Sequence, residues 1–239
     1  SQVSSTQSGK HSMGATFRSF VGTEKECAAR RASHDGGLSG RLEHTRSALL
    51  VCCRAHKLRA SCVRVVRINE AIKIRNLSKK KVLLMQGIYS QEEFITAKKF
   101  NLDVVVHNHD QFKIFEENNY FKNLWFKVNT GMNRLGFEID DFIDIYNEHL
   151  FDKKFVLMTH LAASNDKESI SNHEQFKAFE DLTKKMHENV EKSIANTGCI
   201  MNFPDKSYDW VRCGIGIYGG YFKNKEILTA MTLRSPIVN

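Results

Sequence analysis

The sequence predicts an α/β barrel built on a parallel sheet, and three observations carry that expectation. Seven short apolar runs, near residues 62, 82, 103, 124, 155, 193 and 212, alternate with helix-like segments. The runs are continuous rather than alternating, which marks strands covered on both faces. The run Leu124 to Val128 ends in a glycine-containing polar turn that presents one arginine, Arg134, between Met132 and Leu135. Such loops after strands are where α/β barrels carry their chemistry. A full (β/α)8 TIM-type barrel has eight strands and about 250 residues. Seven runs in 239 residues predict an incomplete barrel, its first strand missing or replaced. The alternative is a doubly wound open sheet. No GxGxxG follows the first run, which argues against the dinucleotide-binding version of that alternative.

The elements follow in order. CVRVV (62–66) is a strand and INEAIKIRNL (68–77) a helix. KVLLMQG (81–87) is an apolar run stopped by glycine. Ser90-Gln91-Glu92-Glu93 has the form of a capping box and opens a helix to about Lys99. LDVVVHN (102–108) is rich in β-branched residues and reads as a buried strand, followed by the helix HDQFKIFEEN. The strand LWFKVN, the helix IDDFIDIYNEHLF (139–151) and the strand KFVLMTHL (154–161) come next. Ser171-Asn172-His173-Glu174 is a second capping box, predicted to start a long helix. KSIANTG holds a short strand, a brief helix spans about Cys199 to Phe203, and VRCGIGIYG (211–219) closes the series.

The formal charge of +8 would invite a nucleic-acid reading, but its location argues otherwise. Residues 1–68 hold twelve Lys and Arg against four Asp and Glu, while residues 69–239 hold 23 of each. Residues 1–67 contain no Asn, Ile, Tyr, Trp or Pro, and their basic residues are nine Arg and three Lys. From residue 69 on there are four Arg and nineteen Lys. So abrupt a change points to a foreign head: a misread frame, a fusion or a cloning artefact. The alternative is a basic disordered arm. Cys52, Cys53 and Cys62 lack zinc-site spacing and no CxxC occurs, so no metal site is expected. The apolar run Ala48 to Cys53 is too short for a signal core or a membrane span, and a cytoplasmic protein is the default expectation.

Four segments share one further property. WFKVNTGMNRLGF (125–137), MTHLA (158–162), SIANTG (193–198) and DWVRCGIGIYG (209–219) resemble, in order and spacing, the pyridoxal-phosphate-dependent alanine racemases. The resemblance covers roughly residues 62–239. It implies a cofactor, pyridoxal 5′-phosphate, at the mouth of the barrel, alanine as substrate, a homodimer, and no specific nucleic-acid or membrane partner. It divides the chain into an unmatched basic segment (1–61), a cofactor-binding barrel (62–228) and the start of a C-terminal β-domain, TAMTLRSPIVN (229–239).

The resemblance also implies roles for individual residues. Asn196, Thr197, Gly214 and Ile215 match phosphate-binding positions, and they fall after the last two strands, where barrels commonly bind phosphate. Taken by themselves they are ordinary turn residues. Arg212 matches the arginine facing the pyridine nitrogen; because arginine keeps its proton, that nitrogen stays unprotonated and the ring is a weaker electron sink. A lone arginine is more commonly a surface ion pair. His160 matches the histidine stacked on the ring, and Arg134 the arginine that orients cofactor and substrate carboxylate. Lys127 matches a lysine that some members carry as a carbamate; the alternative is an inward lysine paired with a carboxylate. Asn129 departs from the Asp usual there. Two parts are missing. The Schiff-base lysine motif should fall near Leu42, where the chain reads GRLEHTRSA, without lysine; Lys25 and Lys57 lack the motif. The catalytic tyrosine belongs to the C-terminal β-domain. No catalytic base is therefore identified, and the expectation is an inactive racemase fragment. A serine or lysine racemase and a non-catalytic fragment are the alternatives.

Overall fold

The computed structural model describes residues 61–218 and Gly220. The basic head with Lys25 and Lys57 and the segment 229–239 lie outside the described residues. Six strands form one sheet: β1 (Cys62–Val65), β2 (Lys81–Leu84), β3 (Asp103–Val106), β4 (Leu124–Lys127), β5 (Val156–Met158) and β6 (Glu191–Ser193). Every neighbouring pair is parallel and the order is sequential. Between them run α1 (Ile68–Leu77), α2 (Gln91–Lys99), α3 (His109–Glu117), α4 (Ile139–Ile145) and α5 (Ile170–Thr183), with α6 (Thr197–Asn202) after β6. This is the sheet-and-helix alternation of an incomplete α/β barrel.

Alternation along each strand sorts the side chains into two layers. Val63, Val82, Leu84, Val104, Val106, Leu124, Phe126 and Leu157 join the main core beneath the helices. Leu83, Val105, Trp125, Val156 and Met158 form a second cluster on the opposite, inner face, joined by Cys62, Met85 and Trp210. The phenylalanine-rich outer core is fastened by edge and tilted ring contacts, such as Phe126 on Phe155 at 5.4 Å and on Phe142 at 5.6 Å.

Three expectations need correction. The seventh run does not form a full strand: Trp210 N–H donates to Lys192 O and Arg212 N–H to Ala195 O, giving only one bridge, Asn196 to Arg212. A 3₁₀ turn, Ile215–Tyr218, then takes up the glycine-containing remainder. The Ser171 capping box does not form. The helix starts at Ile170 with Ser169 at its cap, because Asn172 is buried and turned back onto the loop, donating to Asp166 O at 2.7 Å. The helix from Ile139 changes to a π-helical turn at Tyr146–Leu150. Half of the first capping box forms: Ser90 Oγ accepts from Glu93 N–H at 3.3 Å, but the Glu93 carboxylate accepts from Tyr89 N–H rather than from Ser90 N–H.

Candidate functional site

The C-terminal ends of the strands gather an unusual set of charges. Arg64 sits in β1 between two outward-facing valines, Lys127 ends β4, His160 follows β5 and Arg212 lies beside β6. Arg134 stands on the loop after β4 and is exposed. Among the described residues, none of the four cations Arg64, Lys127, Arg134 and Arg212 pairs with a carboxylate.

Arg212 is the most buried of them, at 3% exposure. Its Nη1 donates to Ser193 O at 2.8 Å and Ser193 Oγ at 2.5 Å. Its Nη2 donates to Thr159 O and to Ile194 O at 3.3 Å, and lies 3.5 Å from His160 Nδ1. Its Nε is buried and has no acceptor. Burial and the nearby Arg64 pull its pKa down to about 9, so it still holds its proton at neutral pH. The surface ion pair considered from sequence is excluded by this burial.

His160 feels the whole cluster. Burial first, then Arg212, Arg134, Lys127 and Arg64, lower its pKa to about 3, so the ring is neutral at ordinary pH. Its peptide is held from below: Gln175 Nε2 donates to His160 O at 3.0 Å and to Thr130 Oγ1 at 3.2 Å, while Gln175 Oε1 accepts from Ala162 N–H. Lys127 is buried at 7% exposure without a hydrogen-bond or ion-pair partner among the described residues. Burial, then Arg134 and Arg212, lower its pKa to about 8. The carboxylate partner considered from sequence is not there.

The loop carrying Arg134 is organised by Asn129. Its Oδ1 accepts from Gly131 N–H at 3.1 Å and Asn133 N–H at 3.0 Å. Its Nδ2 donates to Asn133 Oδ1 and Glu138 Oε1. An aspartate could accept those two bonds but not donate the others, which accounts for asparagine here. The loop closes through Gly136, whose φ of +133° and contact with Asn129 N and Val128 C leave no room for a Cβ.

The predicted phosphate positions come together between β6 and the Arg212 segment. Asn196 caps α6, accepting from Cys199 N–H at 3.0 Å and from Ser164 Oγ at 2.5 Å. Its Nδ2 donates one of its two hydrogens to Leu161 O at 3.3 Å. Thr197 Oγ1 accepts from both Gly214 N–H and Gly216 N–H at 3.2 Å, and its hydroxyl has a long contact with Cys213 Sγ at 3.9 Å. Ile215 begins the 3₁₀ turn with its side chain exposed.

Arg64, Gln175, Ser193 and Thr159 were missed from sequence. A lone arginine at an inward position of CVRVV was the one usable signal, since strand alternation alone points it inside. Among the described residues no group of three or more His, Cys, Asp or Glu could hold a metal ion, and no helix is long and apolar enough to cross a membrane.

Comparison with known proteins bears on the family and fold of the chain. The family model "Alanine racemase, N-terminal domain" matches residues 46–222. The chain is 34% identical over 167 residues to an alanine racemase of Coxiella burnetii, a match covering 67% of this chain and 45% of that protein. It therefore spans about half the length of the curated relatives it matches. Its fold is similar to that of alanine racemase from Acinetobacter baumannii, with TM-score 0.64 and 23% identity, covering 74% of this chain and 56% of the other. It is similar also to the Bartonella henselae alanine racemase with covalently bound pyridoxal phosphate, with TM-score 0.65 and 21% identity, covering 78% and 56%. With most of its length matched by one family, the chain belongs to the alanine racemases, through their N-terminal barrel domain.

Proposed function

We propose that this chain is the barrel part of an alanine racemase and holds pyridoxal 5′-phosphate at the strand ends. The observation that carries the reading is Arg212 Nε, a buried donor without an acceptor in a cluster of unpaired cations. An aromatic ring nitrogen beside it and a phosphate nearby would satisfy both deficits. When bound, the cofactor supplies the electron sink for the carbanion left at the substrate's Cα.

The chain's own residues have separable duties in this reading. Arg212 offers Nε–H and keeps its proton, so the ring nitrogen stays unprotonated. His160, neutral and fixed by the Gln175 bond to its carbonyl, forms one wall against the ring. Thr197, Asn196, Gly214 and Ile215 hold the phosphate end, with the Thr197 hydroxyl as side-chain donor. Arg134 offers a planar fork to the substrate carboxylate. With its pKa near 8, Lys127 presents some neutral amine at ordinary pH. That form takes up carbon dioxide to give a carbamate and a released proton, and the new anion faces Arg134.

The proposed division is a basic segment at 1–61, which the family model enters only from residue 46, the barrel at 62–228 and the beginning of a β-domain at 229–239. The proposed setting is a cytoplasmic, homodimeric bacterial enzyme that makes D-alanine for peptidoglycan. No lysine stands in a Schiff-base motif in residues 1–61, so the chain as written holds the cofactor without a covalent bond and does not racemise alanine. Adding pyridoxal 5′-phosphate should produce a saturable circular-dichroism signal in the cofactor's absorption band. Borohydride reduction followed by mass mapping should find no single stoichiometric lysine adduct. Absence of the signal would overturn the cofactor reading, and a single adduct would overturn the non-covalent one.

A further inference from the structure

We propose that Arg64 is a phosphate-binding residue: its guanidinium, held against Gly214, supplies the positive charge for a phosphate monoester seated beside Thr197. The proposal rests on the cofactor reading above and identifies the side chain that pairs with the cofactor's phosphate.

Arg64 lies in β1 with Val63 and Val65 buried on the helix side, so alternation turns it to the inner face. There Nη2 donates to Cys213 O at 2.9 Å, joining the first described strand to the last backbone segment of the sheet. That bond fixes the guanidinium against the Gly214 peptide, where even an added Cβ would stand 3.6 Å from Nη2. The same peptide's N–H, and that of Gly216, donate to Thr197 Oγ1. One small region therefore contains a guanidinium and a threonine hydroxyl whose one other side-chain contact is the long, weak one to Cys213 Sγ at 3.9 Å.

The guanidinium is under-used. Nη1 and Nε of Arg64 have no partner among the described residues, and no carboxylate pairs with it. Burial lowers its pKa, and Arg64 in turn lowers that of Arg212. Two like charges so placed oppose folding unless an anion lies between or beside them. A phosphate monoester carries close to two negative charges at neutral pH and accepts two parallel N–H bonds from a planar fork. A carboxylate carries half that charge, and Arg134 is already available for it.

The test uses pyridoxine 5′-phosphate and pyridoxine, which lack the aldehyde and so react with no lysine. Each is titrated calorimetrically into the full chain. The wild-type chain should bind the phosphorylated ligand at least about tenfold tighter than pyridoxine. Arg64→Met should lose about tenfold or more of the affinity for pyridoxine 5′-phosphate and leave pyridoxine unchanged. Arg64→Gln keeps a donor for Cys213 O while removing the charge, and it is read in the same way if Arg64→Met fails to fold by circular dichroism. If the wild-type chain bound both ligands alike, the cofactor reading and this proposal would fall together. If the wild-type chain discriminated and the folded Arg64 variant discriminated equally, this proposal alone would fall.

Discussion

The two ends of the inner face follow opposite rules. At the N-terminal end of the strands the charges Lys81, Asp103 and Glu191 all have partners. Asp103, 2% exposed, accepts from Trp125 Nε1 at 3.1 Å and lies 3.7 Å from Lys81 Nζ. Lys81 also sits over the Trp210 ring at 5.3 Å, and Trp210 Nε1 donates to Glu191 at 2.6 Å. At the C-terminal end, Arg64, Lys127, Arg134 and Arg212 face one another without a carboxylate. The first end is finished by its own side chains. In the proposed reading an anion completes the second, which would divide stability and function along the strand axis, as barrels divide them.

The largest test of that division is Arg212→Leu. It leaves Thr159 O and Ser193 Oγ without their donor, and should cost about 3 kcal/mol in urea unfolding followed by tryptophan fluorescence. A negligible loss would mean that Arg212 serves only a ligand. Next comes Asp103→Leu, at the opposite end. It strands the buried indole N–H of Trp125, and should cost about 2 kcal/mol without changing pyridoxine 5′-phosphate binding. Weakened ligand binding in that variant would break the separation of the two ends. The smallest effect carries the opposite sign. Lys127→Met removes a buried cation without a partner, and should raise stability by about 1 kcal/mol at pH 7, a gain limited by solvent screening. The folded-state pKa of Lys127 is about 8 against 10.5 for an ordinary lysine. Between these values the unfolded chain holds more protons, so wild-type stability rises with pH and the advantage of Lys127→Met shrinks. An advantage independent of pH from 7 to 10.5 would show that Lys127 carries no such penalty.

Much of this was legible in the residues because it is local. The helix over 68–77 and the helix opened by Ser90 occupy the predicted positions, since apolar spacing and a cap three residues away determine them. Ser171 misled because its neighbour Asn172 is drawn to Asp166 O and Ala163 O, a loop contact that no capping pattern encodes. The site was legible only in part. Arg212, His160 and Thr197 stand in recognisable segments, whereas Gln175 acts on His160 from a helix fifteen residues on. Arg64 meets Cys213 across 149 positions. Contacts of that kind depend on how the sheet curls, and no window of sequence contains them.

The sequential strand order has a further consequence, for how the chain assembles. Each strand pairs with the one before it, so the sheet can grow one β-α unit at a time, with short loops closing at each step. The bond from Arg64 to Cys213 is different: both ends of the growing sheet must already be in place before it can form. It spans the open sheet from its first strand to its last backbone segment. Arg64 is therefore expected to reach native contact late in folding, and the cation cluster to take its final form only after the rest of the sheet has been built.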